Sequence, residues 1–329
     1  MVQIAITGSI ATDHLMTFEG LFADSLVVEQ LDKISLSFLT EDLQVRRGGV
    51  AANIAFGMAN LGQRPILVGS VGEDFTDYRS WLERHGVDCQ SIHYSESQHT
   101  ARFVCTTDRD MAQIATFYAG AMAEARDIEL APVAHRVGGL DLVVVAPNDP
   151  VAMLRHTDEC RTRGIPFAAD PSQQLAFMDG ESIRRLIDGA DYLLTNEYES
   201  HLACQKTGWT AEELAQRVRV QVQTRGKDGV TVRVRGEEPI EVSAAREVRR
   251  ADPTGVGDAF RAGFLTGLSA KLPMRRCAEL GSMLATYVLE TVGTQEYALR
   301  IPEFLERLAD AYGADAAEEI APHISGPRP

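Results

Sequence analysis

The chain of 329 residues is 45% hydrophobic and carries a formal net charge of -15 at pH 7, enough apolar content for one large globular core or two modest ones. Acidic balance without a run of Lys or Arg argues against nonspecific binding to nucleic acid or an anionic membrane, both of which draw on clustered positive charge. Five scattered cysteines with no C-x-x-C, and eight histidines with no H-E-x-x-H, point away from a transition-metal site and leave the thiols as reduced core residues.

The opening residues "MVQIAITGSIATDH" lack a basic start and a long apolar stretch, and no segment approaches the ~20 apolar residues of a membrane span, so a cytoplasmic protein is expected. Strand-like apolar runs then alternate with helical segments: "IAIT", "PILVGSVG", "DLVVVAP", "IPFAAD", "YLLTN" and "VQVQTRG". The spacing predicts helices over 51–61, 75–85, 150–163, 197–207, 257–269 and 274–290. Such alternation predicts an α/β fold, a parallel sheet covered by helices on both faces. Two stretches break the rhythm. One is residues 15–46; the other is "TARFVCTTDRDMAQIATFYAG" from Thr100, whose alternating β-branched and aromatic residues around "DRDM" predict a hairpin standing off the main sheet. A hairpin of that kind serves as a lid, an association surface or a decorative edge. The terminal "APHISGPRP" reads as disordered from its Pro and Gly content.

Four clusters bear on chemistry. In "RRGGVAANIAFGMANLG", Gly48 and Gly49 let a ligand approach the backbone and Asn53 can both donate and accept, although a tight turn before a helix explains the same residues. In "TNEYES", Asn196 and Glu199 leave the end of a parallel strand three residues apart; Glu199 could hold hydrated Mg²⁺, or the pair could simply cap the helix. "TRGKDG", with Thr224, Gly226 and Gly229, suffices locally as a β turn. "ADPTGVGDAFRAGFLTG" opens an apolar helix at Gly255 and Gly257, so free N–H groups and the positive dipole end invite an anion, yet Asp258 lies in the same turn. Phosphoryl transfer reconciles the two, because the transferred group needs preorganised donors while the attacking hydroxyl needs an acceptor for its proton. The dipole is expected to lower the Asp258 pKa, leaving it chiefly to orient the hydroxyl. A plain helix-start aspartate remains the alternative. No G-x-x-x-x-G-K-[ST] is present and the late G-x-G lacks its third glycine, which argues against a P-loop and against dinucleotide-dependent hydride transfer.

Together these residues resemble the ribokinase-like (pfkB) carbohydrate and nucleoside kinases. "GGVAANIA" followed by Gly62 and Gly72 is similar to that family's N-terminal signature, "NEYE" to its N-x-x-E, and "DPTGVGDAFRAGF" to its C-terminal signature. Val256 departs from it, standing where the family usually has a small residue and narrowing the approach to the anion hole. The resemblance implies a doubly wound sheet in a single domain over 1–329, with a discontinuous β lid from about 15–46 and 99–120. It also implies ATP as co-substrate, Mg²⁺, K⁺ as activator, Asp258 as catalytic base, and Gly255, Val256 and Gly257 as the anion hole. Asn196 and Glu199 would then sit at the phosphate and Mg²⁺ region, with Thr224, Arg225, Gly226, Lys227, Asp228 and Gly229 contacting ATP.

Within the family the chain is most similar to bacterial-type adenosine kinases, through "GSIATDHLM", "ISLSFL", "HTARFVCTTD", "AADPSQQLA" and "GTQEY". This likeness implies ribose contacts at Ser9, Asp13, Gly49 and Asn53, with Ser37, Phe103, Phe117, Gln173 and Gln174 around the base, and a homodimer formed through the lid. Asp13 can accept from two vicinal hydroxyls, and aromatic faces on a lid suit a purine, whereas hairpin packing accounts for Phe103 and Phe117 equally well. A ribokinase or fructokinase, a broader purine nucleoside kinase, and a non-enzymatic sensor stay open as alternatives, the sensor disfavoured by Asp258.

Overall fold

A computed structural model of the chain describes residues 2–25 and 37–326. Fourteen strands follow in order: β1 (Ile4–Thr7), β2 (Ala11–Phe18), β3 (Asp42–Gly48), β4 (Ile66–Val68), β5 (Ser70–Val71), β6 (His93–Tyr94), β7 (Ala101–Asp108), β8 (Gln113–Tyr118), β9 (Leu142–Val145), β10 (Phe167–Ala169), β11 (Tyr192–Asn196), β12 (Val220–Thr224), β13 (Val230–Val234) and β14 (Ile240–Val242). The helices are α1 (Phe22–Ser25), α2 (Val50–Asn60), α3 (Thr76–Arg84), α4 (Leu130–Val137), α5 (Pro150–Arg163), α6 (Gly180–Ile187), α7 (Glu197–Thr207), α8 (Ala211–Arg217), α9 (Val256–Ser269), α10 (Met274–Leu289), α11 (Ile301–Tyr312) and α12 (Ala314–Ile320). None of the described helices is long and apolar enough to cross a membrane.

The central sheet runs β14-β13-β12-β11-β10-β9-β1-β4. It is parallel from β4 through β12, as alternation predicts, and then turns antiparallel. The reversal comes from "TRGKDG": the Arg225 N–H reaches Gly229 O at 2.7 Å, so the chain returns within a few residues and no crossover helix intervenes. Alternate side chains feed two cores. Ile4, Ile6, Val144, Leu194 and Val222 face α2, α9 and α10, while Ala5, Val143, Val145 and Leu193 face α5, α6 and α7.

The lid is a second sheet, β3-β2-β7-β8, with β2 and β7 parallel and the outer pairs antiparallel. It begins at Ala11, earlier than expected, because β1 passes into β2 through the short Gly8–Ile10 link. The expected lid segment 15–46 includes residues outside the described ones, and so does part of "ISLSFL". One expectation is overturned at the C-terminus, for residues 321–326 of the segment read as disordered: these are ordered. Ile324 is only 7% exposed in the core, and the Ser325 N–H bonds Leu61 O at 3.2 Å. One buried isoleucine outweighs a Pro- and Gly-rich composition.

Candidate active site

At the start of α9, Gly255 takes the left-handed conformation (φ 77°), and a Cβ there would lie 2.8 Å from the Thr294 side chain. No acceptor among the described residues takes the N–H of Gly257 or Asp258, so the first turn offers unspent donors at the positive end of a 14-residue helix. Asp258 is half-buried. Burial pushes its pKa up to about 6, against the hydrogen bond from Asn53 and the charge of Arg261, while Asp170 and Glu199 add to the rise. This reverses the expected lowering by the helix dipole, because desolvation of a carboxylate outweighs a partial charge at a helix end.

Asn53 is held in one orientation. Its Nδ2 donates to Asp258 Oδ2 at 2.9 Å, and its Oδ1 accepts from Thr294 Oγ1 at 3.0 Å and Gln295 Nε2 at 2.9 Å. Gln295 Nε2 also donates to the Tyr78 hydroxyl at 2.6 Å, which in turn donates to Gly48 O at 2.9 Å. The amide oxygen is therefore filled from within the chain, while one of the two Nδ2 hydrogens holds Asp258 and the other is left to donate. The glycines before it are likewise explained from inside. Gly49 has φ 92°, and a Cβ there would strike Ser9 O and Ala11 N at 2.6 Å; one on Gly48 would crowd the Asp13 carboxylate at 3.1 Å. Ser9 Oγ accepts from the Val50 N–H at 3.0 Å and so fastens the start of α2.

Behind Asp258 lies a group that motif reading missed. Arg261 contacts Asp170 through Nε at 2.5 Å and Nη2 at 2.6 Å, and donates to Gly257 O at 3.1 Å. Burial disfavours the guanidinium, but Asp170, Glu199 and Asp258 outweigh it and hold its pKa above the usual arginine value. The pair ties the first turn of α9 to the end of β10. A signal existed in the sequence: an arginine within "AFRAGF", where every other side chain reads as core. Thr294 and Gln295 lie in the stretch "GTQEY" that carried the family likeness but no assigned role, and Tyr78 gave no signal.

Asn196 and Glu199 form a full capping box, each backbone N–H donated to the other's side chain at 2.8 Å. Capping spends Glu199 Oε2, which also lies 3.9 Å from Arg261, and leaves Oε1 available. Asn196, Thr224, Gly226, Lys227 and Gly229 line one cavity of about 710 Å³, together with Val256, Gly257 and Phe260. Three separate motifs of the sequence thus meet around one volume, a size suited to a nucleotide. Arg225 instead pairs with Glu241 of β14, and Asp228 is exposed at the turn between β12 and β13.

The lid carries the remaining candidates. Register places Arg46, Asp13, Phe103 and Phe117 in one row across all four strands, hence on one face. Asp13 lies over Gly48 with its pKa pushed up to about 6, first by burial, then by Glu296, with Arg46 opposing and Asp252 adding. Phe117 is 52% exposed, which hairpin packing alone does not require. Gln173 and Gln174 fall in a short 3-10 turn after Asp170, Gln173 exposed and Gln174 half-buried, and Ser37 lies in an exposed loop.

The chain matches the pfkB family carbohydrate kinase over residues 21–301. It is 31% identical over 270 residues to a nucleoside kinase of Methanothermobacter thermautotrophicus, covering 81% of this chain and 85% of that one. Among solved structures it superposes on the Burkholderia thailandensis nucleoside kinase in complex with inosine at a TM-score of 0.81 and 35% identity, covering 94% of this chain and 98% of that one. The same enzyme in complex with ADP-inosine gives 0.80 at 35% identity, covering 94% and 96%.

Proposed function

The chain belongs to the pfkB carbohydrate kinase family, and from that premise we propose that it is a nucleoside kinase passing the γ-phosphate of ATP to the 5'-hydroxyl of adenosine, giving AMP and ADP. The observation that carries this reading is the position of Asp258. It stands one residue beyond Gly257, which lines the 710 Å³ cavity, and is bonded to Asn53, whose helix starts beneath Asp13 of the lid.

In this reading ATP fills the cavity between the β12–β13 turn and the start of α9, and the nucleoside lies under the row Asp13, Phe103 and Phe117. Asp13 accepts from the ribose hydroxyls, and the two rings cover the base. Asp258, with a pKa of about 6, is ionised at neutral pH yet basic enough to take the hydroxyl proton. The open N–H groups of Gly255 and Gly257 receive the charge on the transferred phosphoryl group, while the Val256 N–H between them is already turned to Pro253 O at 3.4 Å. Glu199 Oε1 fits a hydrated Mg²⁺, which supplies charge neutralisation between phosphates when bound. K⁺ activation beside the loop from Asp252 to Gly255 is part of the same proposal. So is a homodimer through the outer face of the lid, where Leu43, Val45 and Ile114 are exposed opposite the Asp13 row.

A broader purine nucleoside kinase is the second reading, favoured by the inosine complex of the Burkholderia relative. ADP release with ATP, Mg²⁺ and K⁺, measured on adenosine, inosine, ribose and fructose side by side, separates these readings. Selectivity for adenosine supports the proposal, comparable rates on inosine favour the second reading, and turnover on free sugars alone overturns both.

A further inference from the structure

Away from the active site, the sheet face beneath α7 and α8 changes character at β12. Val220, Val222, Val230 and Val232 are buried toward α9 and α10, whereas the alternate residues Gln221, Gln223 and Arg233 turn to the α7–α8 side, with Gln221 directly opposite Arg233. Neighbouring strands present Leu193, Ala169 and Val145 on that same side. The floor is polar where its neighbours are apolar, and above it lies a cavity of about 580 Å³ that shares no lining residue with the nucleotide cavity. This size is within the range of small-molecule sites.

The donors on this floor are only partly taken up by the described residues. Gln221 is 4% exposed and lines the cavity, yet among the described residues nothing bonds its side-chain amide. Arg233 gives one N–H to Gln223 Oε1 at 3.2 Å and has no carboxylate partner among the described residues, in a chain whose other half-buried arginines mostly have one. The Trp209 indole lines the wall, with Arg217 4.9 Å from its ring centroid. Around the mouth stand two exposed carboxylates, Glu197 and Glu212.

A guanidinium fork beside an unpaired amide matches a carboxylate. Carboxylates at the mouth repel phosphate dianions and nucleotides and attract an ammonium, and an indole face takes an apolar body. We propose that this cavity is a second ligand site for a small zwitterion of the amino-acid type. Its carboxylate rests on Arg233 and Gln221, its ammonium faces Glu197 and Glu212, and its side chain lies against Trp209.

The test is calorimetric titration of the full chain with each proteinogenic L-amino acid, and with sodium propionate and inorganic phosphate as comparison probes. The proposal expects at least one amino acid to bind with a Kd below about 1 mM. Arg233→Met is expected to weaken that binding by at least about tenfold while leaving nucleoside turnover within about twofold. Ala215→Phe, which blocks the cavity from α8, must also abolish it and serves if the Arg233 variant does not fold. Absence of binding by every amino acid, binding that survives these variants, or propionate or phosphate binding as tightly would each overturn the proposal.

Discussion

Replacing Asn53 by alanine deletes one donor to Asp258 and one acceptor shared by Thr294 and Gln295. The fold should tolerate this, because Gln295 Nε2 keeps the Tyr78 hydroxyl and Thr294 Oγ1 keeps Arg47 O at 2.9 Å; a loss of ~1–3 kcal/mol is expected. The larger effect is on protonation. Asn53 lowers the Asp258 pKa by favouring the carboxylate, so its removal lets burial act with less opposition. A hydrogen bond to a charged group contributes ~1.5–3 kcal/mol, and at ~1.4 kcal/mol per pH unit the Asp258 pKa should climb by ~1–2. The acid limb of kcat/KM then moves from about pH 6 to ~7–8, with a loss of ~5–50-fold at pH 6 that largely recovers above pH 9. Coupled ADP release from pH 5 to 9.5, at saturating ATP, reads both limbs. An unmoved limb, with activity reduced equally at every pH, would refute the idea that Asn53 tunes the base.

Asp258→Asn should cut kcat by several orders of magnitude while nucleoside binding by calorimetry persists; turnover near the parent level would exclude Asp258 as base. The same variant should be more stable than the parent at pH 7.5. Because the folded pKa is raised from 3.8 to about 6, this group's stabilising contribution is present below the lower value and is lost as pH rises through the upper one, leaving ~1–3 kcal/mol that chemical denaturation should detect and that fades toward pH 4. Phe117→Ala should weaken the nucleoside by ~1–3 kcal/mol and leave ATP unchanged, whereas equal losses for both would indicate lid unfolding. Arg261→Met strands the Asp170 carboxylate at 0% exposure and should cost ~3–5 kcal/mol in urea denaturation, most of it recovered by adding Asp170→Leu. Val45→Asp, at a position 57% exposed on the outer lid face, should convert the dimer to monomer by sedimentation; a parent that is already monomeric removes the dimer proposal.

Local chemistry made much of the frame legible. Helices α5 and α7 have the expected bounds because Asp149 and Asn196 cap their starts and Gly164 and Gly208 end them in the left-handed conformation. The helices α4, α6, α8, α11 and α12 and the edge strand β14 were not anticipated, although the turn at "TRGKDG" between β12 and β13 was; their burial depends on what lies beneath them. The pocket-lining motifs were also visible, as glycines and amides at strand ends, although a turn or a cap accounted for each one locally. Contacts between distant segments were not. That Thr294 and Gln295 fill the Asn53 oxygen could not be read from its own motif, and the sign of the Asp258 shift depends on burial that no local pattern encodes. Arg261 could have been found by asking what neutralises a charge on an apolar helix.

The bond between Asn53 and Asp258 spans 205 residues of chain, and the one to Gln295 spans 242. A ribosome adding ~5–20 residues per second needs ~10–40 s to cover the shorter interval. Throughout that time α2, buried along nearly its whole length in the finished molecule, lacks the helix against which Gly57 packs, since a Cβ there would meet Ala262 at 2.6 Å. The emerging chain therefore keeps an apolar helix face in contact with water until α9 is made. On the role proposed for Asp258, phosphotransfer chemistry also arrives last, since no fragment that stops before α9 holds that carboxylate.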